Sequence, residues 1–143
     1  MAKKADTEDL ADRLHSAAIH LLRLVRVQDT ASGLGPARLS ALSVIVFGGP
    51  VSLNGLARAE QVRPPTMSRI VDALETAGLA CRRTNERDRR AVLIEATSRG
   101  AAMLKQGRKR RVRFLAAHLA RLNAAELAQI DHAVQAIRKA LTR

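Results

Sequence analysis

The sequence is short of aromatic residues, cysteine and long apolar runs, and each shortage excludes a class of protein. Its 143 residues include two phenylalanines but no tyrosine or tryptophan, which disfavours a single-strand nucleic-acid binder that stacks bases on aromatic rings. The one cysteine, Cys81, cannot form an intramolecular disulfide, and we therefore expect a cytoplasmic protein. No apolar run approaches the ~20 residues of a membrane span, and the first residues do not resemble a secretory signal.

Patterns typical of enzymes and metal sites are also missing. The four histidines, at positions 15, 20, 118 and 132, have no carboxylates at metal-ligand spacing. No Ser/His/Asp set, paired carboxylates or glycine-rich phosphate loop is recognisable. The sequence therefore predicts a protein that is not an enzyme, with no catalytic residue, no metal and no cofactor.

Positive charge is what the sequence has in excess. It contains 25 Lys and Arg against 13 Asp and Glu, a net charge of +12. Residues 58–90 carry eight arginines against five acids, whereas residues 98–113 carry seven basic residues and no acid. So much charge on a small chain predicts a polyanionic partner.

Capping residues and helix breakers predict four helices, a β-hairpin and two further helices. We expect the fourth helix to end at Gly78, and the hairpin strands to cover residues 80–84 and 91–95. Val51 and Ser52 are expected in a very short extended piece. The fold class is therefore mainly α with a small β wing. The predicted helix starts are marked by Asp6 or Thr7, Pro36, Ser52, Pro64, Thr97 and Asn123.

The third and fourth helices have the pattern of a helix-turn-helix. Ala57 is small enough for two helices to cross closely, and Val62 supplies the apolar residue after the turn. Gln61 stands where such turns usually place glycine in the left-handed region, a departure that costs about 1 kcal/mol. On the fourth helix, an inward set of Met67, Ile70, Val71 and Leu74 leaves Pro65, Thr66, Ser68, Arg69 and Asp72 outward or flanking.

Polar side chains on that outer face are able to contact DNA. Thr66 and Ser68 can reach phosphates or base edges, and Arg69 can bind O6 and N7 of a guanine in the major groove. Alone, such a trio is more often a solvated helix face. The charged hairpin that follows immediately favours the DNA-binding interpretation, because a helix-turn-helix followed by a hairpin makes a winged helix.

The first helix and the last two are amphipathic, and a chain this short has little else to cover them. Pairing with a second copy is the economical way to bury their apolar positions. The predicted dimerisation residues are Leu10, Leu14, Leu119, Leu127, Ile130, Val134, Ile137 and Leu141.

The ordered run from Leu56 to Gly100 resembles the MarR family of bacterial transcription regulators, and the surrounding helices extend the resemblance over nearly the whole chain. The resemblance implies a winged helix-turn-helix DNA-binding domain at 36–97 and a helical dimerisation region at 1–35 and 98–143. It also implies a homodimer that binds a palindromic operator in double-stranded DNA.

The hairpin matches the family's Asp-x-Arg wing motif with Asp88 and Arg90. In that motif the Arg enters the minor groove and the Asp orients it, which agrees with the negative potential of a narrow minor groove. Arg87 and Arg89 are then expected to contact phosphates or the groove. The complete predicted DNA-binding set is Arg63, Pro65, Thr66, Ser68, Arg69, Arg87, Asp88, Arg89 and Arg90.

The family resemblance further implies a ligand-responsive repressor in the bacterial cytoplasm, associated with the nucleoid. Its effector would be a small aromatic or anionic molecule, bound in a cleft lined by the first, second and fifth helices. Two rival functions would also explain the positive charge. One is a low-specificity architectural DNA-binding protein of the same fold, and the other is a ribosome- or RNA-associated protein. Cys81 is interpreted as an inward-facing small hydrophobe rather than a redox sensor.

The basic run from Lys105 to Arg113 has two interpretations that the sequence leaves open. It is either the solvated side of a long helix or a surface that adds backbone contacts beside the operator or holds an anion.

Overall fold

The protein is mainly helical with a small antiparallel sheet, as predicted. The computed structural model describes residues 2–88 and 91–142. In chain order the elements are α1 (Ala2–Arg26), a 3-10 helix (Val27–Ser32), α2 (Pro36–Gly48), β1 (Val51–Ser52), α3 (Leu53–Ala59), α4 (Pro64–Thr76), β2 (Ala80–Thr84), β3 (Val92–Ala96), α5 (Ser98–Leu119) and α6 (Ala124–Leu141).

The helix starts follow the predicted capping chemistry except at α1. Pro36 and Pro64 each open a helix, and the Ser52 hydroxyl accepts a hydrogen bond from the Gly55 amide (3.0 Å). The predicted α1 cap at Asp6 or Thr7 is wrong, because α1 begins at Ala2. The preceding Ala-Lys-Lys segment favours helix and contains nothing that stops it.

The sheet has the strand order β1-β3-β2, with both pairs antiparallel. Along one edge of β3, Val51 of β1 pairs with Ile94. Along the opposite edge, Ala80 of β2 pairs with Ala96. The predicted hairpin is confirmed with its second strand displaced by one residue, to Val92–Ala96. The two-residue β1 therefore adds a third strand to the hairpin.

The chain divides into two compact units. The central unit is Arg26–Lys109, and the terminal unit comprises residues 2–25 and 110–142. These divisions differ from the predicted boundaries, since residues 26–35 and 98–109 group with the winged helix rather than with the terminal helices. Leu34 and Leu104 explain the difference, because both pack with the core of the central unit.

The core of the central unit is formed by side chains from four helices, α2 to α5, and from the hairpin. Leu79 and Ala80 contribute from the start of the hairpin, and Leu104 contributes from α5. Cys81 is only half-buried, so its predicted inward position is not what the structure shows. The strand begins at Ala80, and alternation counted from Leu79 therefore assigns the wrong residue to the core face. The other buried members are Ala41, Leu42, Ile45, Leu56, Ala57, Met67, Val71, Leu74 and Ile94.

Gly100 allows α5 to approach the segment that enters β2. A Cβ at this position would lie 2.1 Å from the carbonyl oxygen of Leu79. The Thr97 hydroxyl accepts a hydrogen bond from the Gly100 amide (3.1 Å) and donates one to the Gly78 carbonyl (2.7 Å). Gly78 has a φ of +69°, so the left-handed helix end predicted there is confirmed. These contacts hold the start of α5 against the residues that lead into β2.

In the terminal unit, α6 has local features of a stable helix but no buried residue. Asn123 and Glu126 form the predicted capping box, with reciprocal side-chain to backbone hydrogen bonds of 2.9 and 3.0 Å. His118 and His132 each place Nδ1 2.9 Å from the carbonyl oxygen four residues earlier. Within residues 2–88 and 91–142, no group of three or more His, Cys, Asp or Glu is placed to hold a metal ion. No single helix in this part of the chain is long and apolar enough to cross a membrane.

Candidate nucleic-acid interface

The turn between α3 and α4 has the helix-turn-helix geometry without its usual glycine. Gln61 has a φ of +54°, and it is the only non-glycine residue with positive φ in the described chain. The Val62 amide donates to the Ala57 carbonyl (3.0 Å), and the Gln61 amide donates to the Arg58 carbonyl (3.2 Å). These bonds close the turn, so the positive φ predicted for Gln61 is confirmed.

The two faces of α4 separate as its sequence predicts. Met67, Val71 and Leu74 are buried, and Ile70 is half-buried against the core. This packing holds α4 rigidly by one face. Of the predicted DNA-binding residues, Pro65, Thr66 and Arg69 are exposed and Ser68 is half-buried. A rigid helix thus presents a short polar and basic surface to solvent.

The start of α4 adds positive potential to that surface. Arg63 occupies the N-cap position with extended backbone and makes no side-chain capping bond. Pro64 and Pro65 have no N–H, so the Thr66 amide is the first donor within α4, and the positive end of the helix dipole lies beside it. Arg63 is exposed, so its guanidinium and the helix start are both accessible to a phosphate.

The wing loop between β2 and β3 is closed by backbone hydrogen bonds. The Asn85 amide donates to the Ala91 carbonyl (2.8 Å), and the Ala91 amide donates to the Asp88 carbonyl (2.9 Å). Arg87 and Asp88 are exposed. Arg89 and Arg90, the other two predicted wing residues, lie outside the described residues. The predicted partnership of Asp88 with Arg90 therefore stays a prediction.

An ion-pair cluster that the sequence analysis missed joins the hairpin to α4. The Arg82 guanidinium on β2 binds Asp72 Oδ1 at 2.8 Å and also binds the Glu75 carboxylate. The Arg82 amide donates to Glu75 Oε1 at 2.9 Å. The hydrogen bond with Asp72, together with the charge of Glu75, raises the pKa of the Arg82 guanidinium.

The contacts of this cluster favour a positioning role over phosphate binding. Two carboxylates offset the charge of Arg82, and its guanidinium is oriented toward α4. The cluster therefore couples the angle of the wing strand to the angle of the helix. The signal for it in the sequence is the pair of acids three residues apart, Asp72 and Glu75, on an otherwise basic stretch.

Taken together, the central unit holds a rigid exposed helix, a charged wing loop and a connection between them. A protruding helix of this size fits the major groove of B-DNA, and a charged wing suits the adjacent backbone or minor groove.

Comparisons with known proteins agree with this geometry. The MarR family model matches residues 34–92. An HTH-type transcriptional regulator of Mycobacterium tuberculosis is 35% identical over 117 residues, which make up 82% of each chain.

Solved structures share the fold over nearly the full length. A transcriptional regulator of Thermotoga maritima has a TM-score of 0.84 and 22% identity, covering 94% of both chains. A mutant of Staphylococcus aureus MepR bound to an oligodeoxyribonucleotide has a TM-score of 0.72 and 16% identity, covering 93% of this chain and 98% of MepR. The chain thus belongs to the MarR family, as a non-enzymatic transcription regulator with a DNA-binding fold.

Proposed function

We propose that this protein is a ligand-responsive repressor that binds a palindromic operator in double-stranded DNA as a homodimer. The observation that carries the proposal is the orientation of α4, whose inner face is buried while Thr66 and Arg69 are exposed. Because the backbone of such a helix is already ordered, binding in a groove costs only the ordering of its exposed side chains.

In the proposed complex α4 lies in the major groove. Arg69 is the residue suited to a guanine, and Thr66 and Ser68 contact bases or phosphates. Arg63 and Pro65, at the helix start, lie beside the phosphate backbone. Specificity then depends mainly on Arg69, whereas Arg63 contributes affinity for any sequence.

The wing is proposed to contact the minor groove next to each half-site. Arg90 enters the groove, Asp88 orients it, and Arg87 and Arg89 contact phosphates. The exposure of Arg87 and Asp88 at the loop supports this arrangement.

Homodimerisation is proposed to bury the apolar stripe of the terminal unit. Leu10 and Leu14 on α1 and the stripe of α6 are exposed in the single chain, apart from a half-buried Ile137. Leu127 is 39% exposed and Leu141 is 79% exposed. A two-fold pair would place its α4 helices in successive major grooves about 34 Å apart, which requires a palindrome.

The effector is proposed to be a small aromatic or anionic molecule that releases the operator. It can do so only if it binds one spacing of the two α4 helices more tightly than the other. This part of the proposal follows from family membership.

The experiment begins with selection of bound duplexes from a random library, followed by competition against a random-sequence duplex. We expect an inverted repeat and a specificity ratio of about 10³ or more. A ratio near one with steep salt dependence would instead support a low-specificity architectural protein. Tighter binding to structured RNA than to any duplex would support an RNA-associated function.

Two substitutions then test the site residues on the selected duplex. Arg69→Ala and Arg90→Ala should each weaken binding by about 1–3 kcal/mol while the oligomeric state stays unchanged. Arg69→Ala should also relax the preference at one base pair of each half-site. Arg138→Ala in α6 removes the same charge from the terminal unit and serves as the control. Unchanged affinity for both test variants would contradict the assignment.

A further inference from the structure

Much of the net charge lies outside the proposed reading surface, on α5. Residues 98–113 carry seven basic residues, and no Asp or Glu occurs between Glu95 and Glu126. The α4 surface and the wing do not account for this charge.

Three of these cations form a row along one exposed side of α5. Lys105, Lys109 and Arg113 are four residues apart and are all exposed. Residues four apart share one side of a helix, so the row places three cations within roughly 12 Å. The buried positions of α5 are Gly100, Leu104 and Gly107, and these belong to the opposite side. We name Lys105, Lys109 and Arg113 the α5 basic row.

The α5 basic row is unfavourable for the helix itself. Like charges four residues apart repel and destabilise a helix. In α1, by contrast, Arg13 pairs with Asp9 four residues away at 3.0 Å. The chain has no Asp or Glu between Glu95 and Glu126, so no acid within α5 relieves the repulsion in this way. An external polyanion would remove it.

We propose that the α5 basic row is a second DNA-binding surface, which contacts the sugar–phosphate backbone of duplex DNA without reading its sequence. The partner is identified by charge: B-DNA carries one negative charge per about 1.7 Å of its axis, and cations on an exposed row displace its condensed counterions. Contacts of this kind add affinity for every sequence.

The test is the salt dependence of binding to a 40-base-pair duplex of random sequence. The triple variant Lys105→Gln, Lys109→Gln and Arg113→Gln keeps good helix formers and removes three charges. Each lost phosphate contact should reduce the slope of log K against log salt by about 0.9. We therefore expect a slope shallower by roughly 2.7 for each chain in contact with the duplex, and an unchanged or higher melting temperature.

A matched control removes three exposed charges that lie outside α5: Arg121→Gln, Arg138→Gln and Lys139→Gln. Its slope should equal that of the unmodified protein. An equal change in both triple variants would show an effect of net charge alone and would overturn the proposal. An unchanged slope in the α5 variant would overturn the proposal too. So would a change in the oligomeric state of that variant. Loss of its binding to anionic lipid vesicles, with an unchanged slope for the duplex, would point to a membrane surface and would also overturn the proposal.

The result is separable from that of the proposed function. The random-sequence duplex contains no operator, so the α5 variant should weaken operator and random duplex by the same factor and leave their ratio unchanged. Arg69→Ala should change that ratio. The unmodified protein could bind operator and random duplex equally well while the α5 variant still shows the expected shallower salt slope. That result would contradict the repressor proposal and support the second DNA-binding surface.

Discussion

The central unit buries many of its apolar side chains in a core, whereas the terminal unit leaves its apolar stripe mostly exposed. In the central unit, side chains from four helices and the hairpin meet in one core, with Leu42, Leu56 and Leu74 fully buried. In the terminal unit, α6 has a capping box and an apolar stripe, yet it has no buried residue. Local signals are sufficient to make both units helical, but among the described residues every buried hydrophobic side chain belongs to the central unit. The comparison supports the proposed homodimer, in which a second copy would cover the apolar stripe of the terminal unit.

The largest effect is expected from a charge on the α6 stripe. Leu127→Asp would bury an unpaired carboxylate in each half of the proposed dimer, at a cost of several kcal/mol. We expect a monomer by light scattering at concentrations where the unmodified protein is a dimer, while the central unit remains folded.

Gln129→Asp is the matched control for this substitution. It places the same charge two residues along α6, outside the apolar stripe, and it should leave the dimer intact. A folded, stable dimer of the Leu127→Asp variant would remove the basis for assigning the stripe to an interface.

A truncation in each unit tests the comparison directly. Leu74→Ala should lower the free energy of unfolding by about 2–5 kcal/mol, because it opens a cavity in a filled core. The effect should be the same at low and high protein concentration. Urea titration followed by circular dichroism provides the measurement.

Val134→Ala on α6 is the counterpart in the terminal unit. Val134 is exposed in the single chain, so its truncation should cost less than about 0.5 kcal/mol in the monomer and more when the dimer forms. Equal, concentration-independent losses in both variants would mean that the two units do not differ in the way described.

The smallest effect is expected from the connection between wing and α4. Arg82→Gln breaks the ion pairs with Asp72 and Glu75, which are partly exposed and screened. We expect a loss of about 1 kcal/mol or less in unfolding free energy, reduced further by salt. The Kd for the selected duplex should rise a few-fold without a change in base preference.

Arg83→Gln controls for the loss of an arginine from the same strand. Arg83 is more exposed and binds Glu95 on β3 rather than α4. Its replacement should leave duplex affinity closer to that of the unmodified protein. Equal losses for the two variants would show that Arg82 has no special positioning role.

Features written in short stretches of sequence could be predicted well. The caps at Ser52 and Asn123 depend on residues within three positions, and the positive φ of Gln61 follows from the helix-turn-helix spacing. The inner face of α4 follows from its 3.6-residue period. For the same reason the exposure of Thr66 and Arg69 on the outer face of α4 could be predicted, whereas their contact with DNA stays a prediction.

Features that depend on how elements pack were missed. The partners of Arg82 lie seven and ten residues away, and they meet only because the hairpin folds back beside α4. The division of α5 between the two units depends on Leu104 joining the central core. The half-burial of Cys81 depends on where β2 begins. None of these features has a signal in the neighbouring residues. The alternation of side chains along a strand and the division of the chain at helix boundaries therefore led to different predictions.

Sedimentation of the complex with the selected duplex tests the central proposal most directly. A homodimer that reads a palindrome should place two chains on the full duplex with a single cooperative transition. On a duplex that contains one half-site, it should bind about 100-fold more weakly, because the second α4 helix loses its specific contacts. Saturation of the full duplex by one chain, with the same affinity for the half-site, would contradict the proposed symmetric repressor.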